Sequence, residues 1–201
     1  MTKILAVGDI HGDTGLVKKL AKRATKEKVD LVILAGDLTM GEMSTKNLIG
    51  PFLKEKKEVI IIPGNHESVA TTEFLAEMYG PGTTNLHGYS IKKGDLGIFG
   101  AGTVDWGIKG HKSKQLFNLL EKGNKKLKDS KRKIMVTHMH PKGGQAEFTG
   151  FPGSEAVTKA IKKFSPDIAI TAHIHEAGGI EEKIGKTKVI NVARKPAIFE
   201  I

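Results

Sequence analysis

Short apolar runs alternate along this chain with longer segments of helical periodicity, and this alternation restricts the fold more than any other feature. The first three runs occupy residues 4–7, 31–35 and 59–62. The unbroken apolar character of the third run is typical of a strand covered on both faces. Between the first two runs, Leu16, Leu20 and Ala24 recur at the spacing of one helix face. The order strand, helix, strand predicts an α/β fold.

The same periodicities predict the remaining elements. Further helices are expected at residues 44–55, 68–79, 113–128 and 154–164, with Gly50-Pro51 as a potential break in the first of them. Further strands are expected at residues 134–137 and 168–171, a hairpin at residues 89–92 and 96–99, and a closing β-meander at residues 180–184, 188–192 and 197–201. No linker or internal repeat interrupts the pattern, so residues 1–201 are expected to form a single domain.

A cluster of polar residues follows each of five predicted strands. The clusters contain Asp9 and His11, then Asp37, then Asn65 with His66 and Glu67, then His138, and finally His173 with His175. In α/β sheets, sites form beyond the carboxyl ends of the strands, so the five segments are expected to meet at one edge. The chain has no cysteine, so a metal site there would be built from His, Asp, Glu and Asn.

Two local patterns support this interpretation. Gly36 and Gly64 precede polar residues at points where the chain must turn sharply and approach a metal closely, which leaves little room for a Cβ atom. In extended chain, residues i and i+2 point to the same side, so the Asp-x-His of the first cluster and the His-x-His of the last are each expected to face one cavity.

Together the five clusters resemble the signature of the calcineurin-like metallophosphoesterase family, which reads D-x-H, G-D, G-N-H-[DE], H and then G-H-x-H. The resemblance runs from Asp9 to His175 and so covers nearly the full chain. It implies an α/β fold built as a four-layer α/β/β/α sandwich with two mixed β-sheets. Ala172 stands where the family usually has glycine, and residues 191–194 lack the family's more usual glycine-containing ending, which leaves the local loop geometry open.

Carried over position by position, the resemblance implies a site for two divalent metal ions. One ion would be held by Asp9, His11 and His175, the other by Asn65, His138 and His173, and Asp37 would bridge them. His66 would be the catalytic residue, facing the substrate phosphate beside Asn65. The expected metal is Mn²⁺, with Ni²⁺, Fe or Zn²⁺ as alternatives.

The implied activity is that of a hydrolase: attack by a metal-bridging hydroxide on a phosphate ester, with His66 stabilising the transition state or protonating the leaving group. Two divalent cations, two carboxylates and one hydroxide leave the site near a charge of +1, which favours an anionic phosphate. Phosphodiesters are preferred over monoesters because the short chain offers no obvious capping domain over the site.

Two other functions stay open. The first is a protein-binding scaffold that keeps the fold, against which the complete ligand set and His66 argue. The second is a nuclease, because Lys and Arg outnumber Asp and Glu by 32 to 22 and much of the excess lies at residues 109–133. Leu116, Leu120 and Leu127 have roughly helical spacing there, however, so the lysines are expected to form the solvated face of a packed helix. A small phosphate ester is therefore favoured over nucleic acid as the substrate.

Several single residues allow two interpretations. Asp13 is expected either to cap the helix that begins at residue 14 or to contact metal-bound water. Glu67 would either orient an imidazole or begin a helix. His87 and His111 have no partner motif and are expected at the surface.

The segment after His138 offers two further candidates. His140 is a candidate substrate-binding residue, although a histidine followed by proline is often merely exposed. The glycine-rich residues 143–153, with Phe148 and Phe151, would form either a rim of the substrate pocket or an ordinary connection.

No apolar stretch approaches the roughly 18 residues that a membrane-spanning helix needs. The apolar run near the N-terminus is also too short for the core of a signal peptide. A cytoplasmic location is therefore expected.

Overall fold

The computed structural model describes residues 1–105 and 112–201. The strands in this part of the chain are β1 (Lys3–Val7), β2 (Leu31–Ala35), β3 (Glu58–Ile62), β4 (Thr83–Asn85), β5 (Tyr89–Lys93), β6 (Leu96–Ala101), β7 (Arg132–Thr137), β8 (Ile168–Thr171), β9 (Glu181–Ile184), β10 (Thr187–Asn191) and β11 (Ala197–Glu200). The α-helices are α1 (Thr14–Lys26), α2 (Gly50–Lys54), α3 (Val69–Tyr79), α4 (Ser113–Lys125) and α5 (Glu155–Phe164). Short 3₁₀ turns lie at Gly80–Gly82, Gln145–Thr149 and His175–Ala177.

The strands form two mixed sheets. The first has the order β11-β1-β2-β3-β4, in which β1 to β4 are parallel and β11 is antiparallel to β1. The second has the order β5-β6-β7-β8-β10-β9, with a parallel centre and an antiparallel strand at each edge. The carboxyl ends of the parallel strands carry the polar clusters, as the sequence predicts.

Three apolar layers hold the sheets and helices together. The central layer lies between the sheets and includes Ile33 and Ile60 from the first and Ile98 and Val136 from the second. Because side chains alternate along a strand, neighbouring residues of the first sheet point outward and pack on α1, α2 and α3. The outer face of the second sheet packs on α4 and α5 in the same way. The result confirms the predicted four-layer α/β/β/α sandwich.

Two predicted elements are wrong. Residues 44–49 are not helical, and α2 begins only at Gly50, because Pro51 is favoured in a first helical turn and Asn47 adopts a left-handed turn conformation with φ of 58°. The predicted closing meander holds for the β9–β10 hairpin, but the last strand crosses to the other sheet and pairs with β1. The three-residue strand β4 was not predicted, since its sequence is short and polar.

Within the basic segment, Ser113–Lys125 form a packed helix, as predicted. Leu116 and Leu120 of α4 are buried against the second sheet and α5, and its lysines face outward. No helix in the described ranges combines the length and the hydropathy of a membrane span.

Candidate metal centre

The predicted clusters meet at one edge of the sandwich, but the local geometry differs from the prediction. Asp9, His11, Asp37 and His173 all have left-handed backbones, with φ of 57°, 48°, 51° and 70°. The segments are therefore sharp turns, and the extended-chain reason for pairing residues i and i+2 is wrong. Left-handed non-glycine residues cost free energy and tend to occur at functional sites, so the four turns point to a site.

Asp9, His11 and His175 form the first group of potential metal ligands. Oδ1 of Asp9 lies 3.3 Å from Nε2 of His175 and 3.8 Å from Nε2 of His11, and the two imidazole nitrogens lie 3.0 Å apart. Oδ2 of Asp9 accepts the backbone N–H of His173 at 3.0 Å, whereas Oδ1 is buried and has no hydrogen-bond partner in the described part of the chain. A buried carboxylate oxygen without a donor, facing two imidazole nitrogens, fits a cation.

His138 centres the second group. Its Nδ1 donates to the carbonyl oxygen of Ala35 at 2.9 Å, which points Nε2 toward the site. That Nε2 lies 3.1 Å from Oδ1 of Asn65 and 3.5 Å from Oδ2 of Asp37. Potential ligand atoms of Asp37, His138 and His173 all lie within 4.8 Å of one another.

Asp37 belongs to both groups through a single oxygen atom. Its Oδ2 lies 3.8 Å from Nε2 of His11 and 3.5 Å from Nε2 of His138. Its Oδ1 points the other way and accepts the backbone N–H groups of Asn65 and His66 at 2.7 and 2.9 Å. The carboxylate is therefore held in an orientation in which one oxygen faces both groups.

The charges in the site depend on one another. Burial raises the pKa of Asp9, although His138 opposes this. Burial would also raise the pKa of Asp37, but His138 and His66 together outweigh it and hold that pKa below its usual value. Burial alone would lower the pKa of His138, but the carboxylates of Asp37 and Asp9 raise it to about 9. The pKa of His173 is lowered to about 3, by burial and by the neighbouring charge of His138. A protonated His138 thus balances the carboxylates in the metal-free site, a role that a bound cation would take over.

The glycines confirm that the backbone segments approach closely. A Cβ atom on Gly64 would lie 2.0 Å from Oδ1 of Asp37, and one on Gly36 would lie 2.6 Å from Nδ1 of His138. A Cβ atom on Gly8 would lie 2.5 Å from the Cβ of Ala172. The alanine in the last cluster is therefore accommodated by glycine on the facing segment.

A cavity of about 380 Å³ opens over the two groups. The lining residues that belong to the two groups or follow them directly, here called its floor, are His11, Asp37, Asn65, His66, His173 and His175. The other lining residues, here called its rim, are Met40, Phe151, Ile174, Glu176 and Arg194. His66 keeps 34% of its side chain exposed and has Nε2 3.9 Å from Oδ2 of Asp37, so it is open to the cavity.

His140 is not brought to this cavity. It is buried, its Nε2 donates to the carbonyl oxygen of Phe151 at 3.3 Å, and its ring stacks on that of His173 at 6.5 Å between centroids. Burial lowers its pKa, which favours the neutral form of the ring. In this position His140 contacts the ring of a potential metal ligand and the segment that carries Phe151.

The structure decides between the alternatives for other residues. Asp13 caps α1, since its Oδ1 accepts the backbone N–H of Leu16 at 2.8 Å. Glu67 takes neither predicted role: it is buried, its pKa is raised by burial, and it accepts the backbone N–H groups of Gly64 and Thr39 at 2.7 and 3.0 Å. Glu67 thus ties together the segments that follow β2 and β3.

The two histidines expected at the surface have different outcomes. His87 is only 8% exposed, because its Nδ1 accepts the backbone N–H of Gly102 at 3.1 Å, so the surface prediction is wrong. The prediction for His111 lies outside the described residues.

Arg194 is a cavity residue that sequence reasoning missed. Residues 191–194 were noted only as a departure from the family ending, and an isolated arginine there gives no further signal. Phe151 also lines the cavity. For this residue, the prediction that residues 143–153 form a rim of the pocket is confirmed.

Comparisons with known proteins agree with this geometry. A family model for calcineurin-like phosphoesterases matches residues 2–177. The TT1561 protein of Thermus thermophilus is 20% identical, and the match covers 96% of this chain and 89% of that one with a TM-score of 0.78. A dimetal phosphatase from Danio rerio is 13% identical, with coverage of 94% and 86% and a TM-score of 0.67. A structure described as a novel archaeal phosphodiesterase is 18% identical, with coverage of 96% and 84% and a TM-score of 0.56.

At these identities the solved structures establish the fold alone, and the comparison with curated protein sequences gave no match. The family model, in contrast, spans most of the chain and includes both ligand groups. The chain therefore belongs to the calcineurin-like phosphoesterase family and is a metal-dependent hydrolase of phosphate esters.

Proposed function

We propose that the protein hydrolyses phosphate esters at a pair of divalent metal ions and that phosphodiesters are its preferred substrates. The observation that carries the proposal is the shared oxygen of Asp37, which faces both the His11 side and the His138 side of the site. A carboxylate oxygen between two sets of nitrogen and oxygen donors suits a bridging ligand.

The proposed ligands follow the two groups. Asp9, His11 and His175 would hold one ion, Asn65, His138 and His173 the other, and Asp37 both. The buried and unpaired Oδ1 of Asp9 supports this assignment, because a cation would give it the partner that it lacks. Mn²⁺ is the proposed metal, with Ni²⁺, Fe or Zn²⁺ as alternatives, because imidazoles, carboxylates and an amide without a thiolate suit all of these ions.

Bound there, two metal ions would acidify a water molecule and stabilise the attacking and leaving oxygens of an in-line displacement. The protein's own contribution is to position these groups. Asp37 fixes the turn that carries Asn65 and His66 through two backbone hydrogen bonds. His66, open to the cavity, is the proposed catalytic residue: its ring would donate a hydrogen bond to the phosphate or give a proton to the leaving oxygen.

The shape of the cavity supports the diester preference. Met40, Phe151 and Ile174 provide an apolar part of the rim, and the Phe151 side chain is 55% exposed in the free protein. Apolar rim residues beside a polar floor suit a phosphate that carries organic groups. One of the structural neighbours is itself described as a phosphodiesterase and another as a dimetal phosphatase.

A comparison of two aryl esters tests the proposal. The purified protein is stripped of metal, Mn²⁺ is added back, and turnover of bis(p-nitrophenyl) phosphate is compared with that of p-nitrophenyl phosphate. We expect metal-dependent turnover with the diester preferred, and loss of turnover in Asp37→Asn and His66→Ala. If no divalent metal supports turnover of either ester, the enzyme proposal fails and the scaffold function takes its place.

A further inference from the structure

Arg194 lies on the rim of the metal cavity, at the side formed by the first ligand group. Its Nη1 approaches the backbone carbonyl oxygen of Asp9 at 3.5 Å, the outer limit of a hydrogen bond. The residue is exposed and lines the cavity together with His11 and His175. Its guanidinium is thus beside the proposed metal pair and held by only one weak contact.

The backbone places Arg194 there by several specific contacts. Its N–H donates to the carbonyl oxygen of Gly8 at 3.1 Å, directly before the first ligand. The side chain of Asn191 donates to the carbonyl oxygen of Ala172 at 3.3 Å and accepts the N–H of Ala193 at 2.9 Å. Arg194 itself has a left-handed φ of 54°. Hydrogen bonds therefore hold the turn at residues 191–194 against both segments that supply the first ligand group.

Arg194 has no ion-pair partner among the described residues. Glu176 lines the same cavity but lies beyond ion-pair distance from it. A guanidinium presents several N–H donors in one plane, an arrangement that matches the oxygens of a phosphate or carboxylate. An exposed arginine with free donors beside an anion-binding cavity is suited to a negatively charged group of the substrate.

Phe151 lines the same cavity and is connected to the second ligand group. Its carbonyl oxygen accepts the Nε2 proton of His140, whose ring stacks on His173, a member of the second ligand group. Arg194, in contrast, contacts Asp9 of the first group. The cationic side chain is thus connected to the first ligand group and the aromatic residue to the second.

We propose that Arg194 forms a second anion subsite, which selects phosphodiesters that carry a further negatively charged group on one ester arm while an apolar or aromatic arm lies on Phe151. This inference rests on the proposed function. The phosphate that reacts would be bound by the metals and His66, and the additional anion would be bound by Arg194.

A matched pair of substrates tests the subsite. Thymidine 5′-(p-nitrophenyl phosphate) and the same compound with a 3′-phosphate differ only in the second anion, and p-nitrophenolate release reports the same reaction for both. We expect the wild-type protein to have a kcat/KM about tenfold or more higher for the 3′-phosphorylated ester, as charge-assisted hydrogen bonds allow. Arg194→Met should bring that ratio to about 1, and Arg194→Lys should restore part of it.

Lys128→Met is the matched control for net charge, because Lys128 is exposed and lies just after α4, away from the cavity lining. It should keep the wild-type ratio. A wild-type ratio near 1 would overturn the subsite. An Arg194→Met variant in which kcat/KM falls equally for both substrates would overturn it as well. In the second case the arginine supports the turn or contacts the reacting phosphate instead.

Binding without turnover separates this inference from the proposed function. Calorimetry on the Mn²⁺-loaded protein compares thymidine 3′,5′-bisphosphate with thymidine 5′-monophosphate. The 3′-phosphate should improve affinity about tenfold in the wild type and have no such effect in Arg194→Met. This result would support the subsite even if no ester is hydrolysed, whereas equal affinities in the wild type would refute the subsite even if the esters are hydrolysed.

Discussion

Oδ1 of Asp37 accepts the backbone N–H of Asn65 at 2.7 Å, so one carboxylate oxygen orients the turn that carries a proposed metal ligand. The other oxygen faces the imidazoles of His11, His66 and His138 at 3.8, 3.9 and 3.5 Å. We therefore propose two separate tasks for Asp37, one structural and one in metal binding. Substitutions that preserve one task and remove the other can distinguish them.

Asp37→Asn should separate the two tasks. The amide oxygen can still accept the N–H groups of Asn65 and His66, but its NH₂ group would face the cavity where a cation should bind. We expect the metal-free variant to melt below the metal-free wild type, because His138 loses its charge partner, but above Asp37→Ala, which also loses the backbone hydrogen bonds. Metal-dependent turnover should fall by about 100-fold or more, because even residues that only support metal ligands contribute up to about 100-fold. Thermal denaturation and p-nitrophenolate release measure the two effects.

Asp37→Ala is the companion variant, and it removes both tasks. It leaves two backbone N–H groups without their acceptor, so we expect a loss of about 2 kcal/mol or more in the free energy of unfolding, beyond the loss of turnover. If Asp37→Asn kept wild-type turnover, Asp37 would not be a metal ligand.

Glu67→Gln should weaken the junction between the segments after β2 and β3. The carboxylate accepts N–H groups from Gly64 and Thr39, whereas a glutamine would direct its own NH₂ group at one of these donors. The expected loss in the free energy of unfolding is about 1–3 kcal/mol. Chemical denaturation of the metal-free protein measures it, with Glu73→Gln on the exposed side of α3 as the control that should change little. Equal stability of the two variants would contradict a structural role for Glu67.

Gly64→Ala should disrupt the site by crowding alone. The new Cβ atom would lie 2.0 Å from Oδ1 of Asp37, so either the turn or the carboxylate must move. A displacement of this kind is expected to lower turnover by about 100-fold. In Gly143→Ala the new Cβ atom meets nothing within 4 Å and only the left-handed φ of 77° is strained, so turnover should change much less. Similar losses in both variants would show that crowding is not the cause.

Metal removal should lower thermal stability because the ligands are held together only in the folded chain. A metal at a free concentration 100 times its dissociation constant adds about 2.7 kcal/mol to the free energy of unfolding. We expect the melting temperature to fall on treatment with EDTA and to recover with Mn²⁺. Asp37→Asn should show a smaller recovery. A melting temperature that is insensitive to EDTA and Mn²⁺ in the wild type would count against a metal site.

Much of the fold follows from local sequence patterns. Three strands are at the predicted places: the apolar strand Leu31–Ala35 and the two hairpin strands that begin at Tyr89 and Leu96. These were predictable because the periodicity of apolar residues and the presence of turn residues are local signals. The pairing of β11 with β1 is not a local signal, since it joins Ala6 to Ala197 across almost the whole chain. The crossover to the first sheet therefore appeared only in the structure.

The site was predicted by residue type but not by conformation. The polar residues predicted as ligands do lie together in two groups of potential metal ligands. The left-handed turns at Asp9 and His173, in contrast, depend on contacts between distant segments. The same reason explains why Arg194 was missed: its place in the cavity depends on contacts with Gly8 and Asp9. The choice of Mn²⁺ and the cytoplasmic location stay predictions, as does the single-domain organisation.

The number of metal ions that the active protein binds tests the central claim most directly. Metal-free protein is titrated with Mn²⁺, and bound metal and hydrolysis of bis(p-nitrophenyl) phosphate are followed in the same samples. We predict that turnover reaches its maximum when two ions are bound per chain and that Asp37→Asn fails to bind the pair. Full turnover with a single bound ion, or with none, would contradict a dinuclear centre bridged by Asp37.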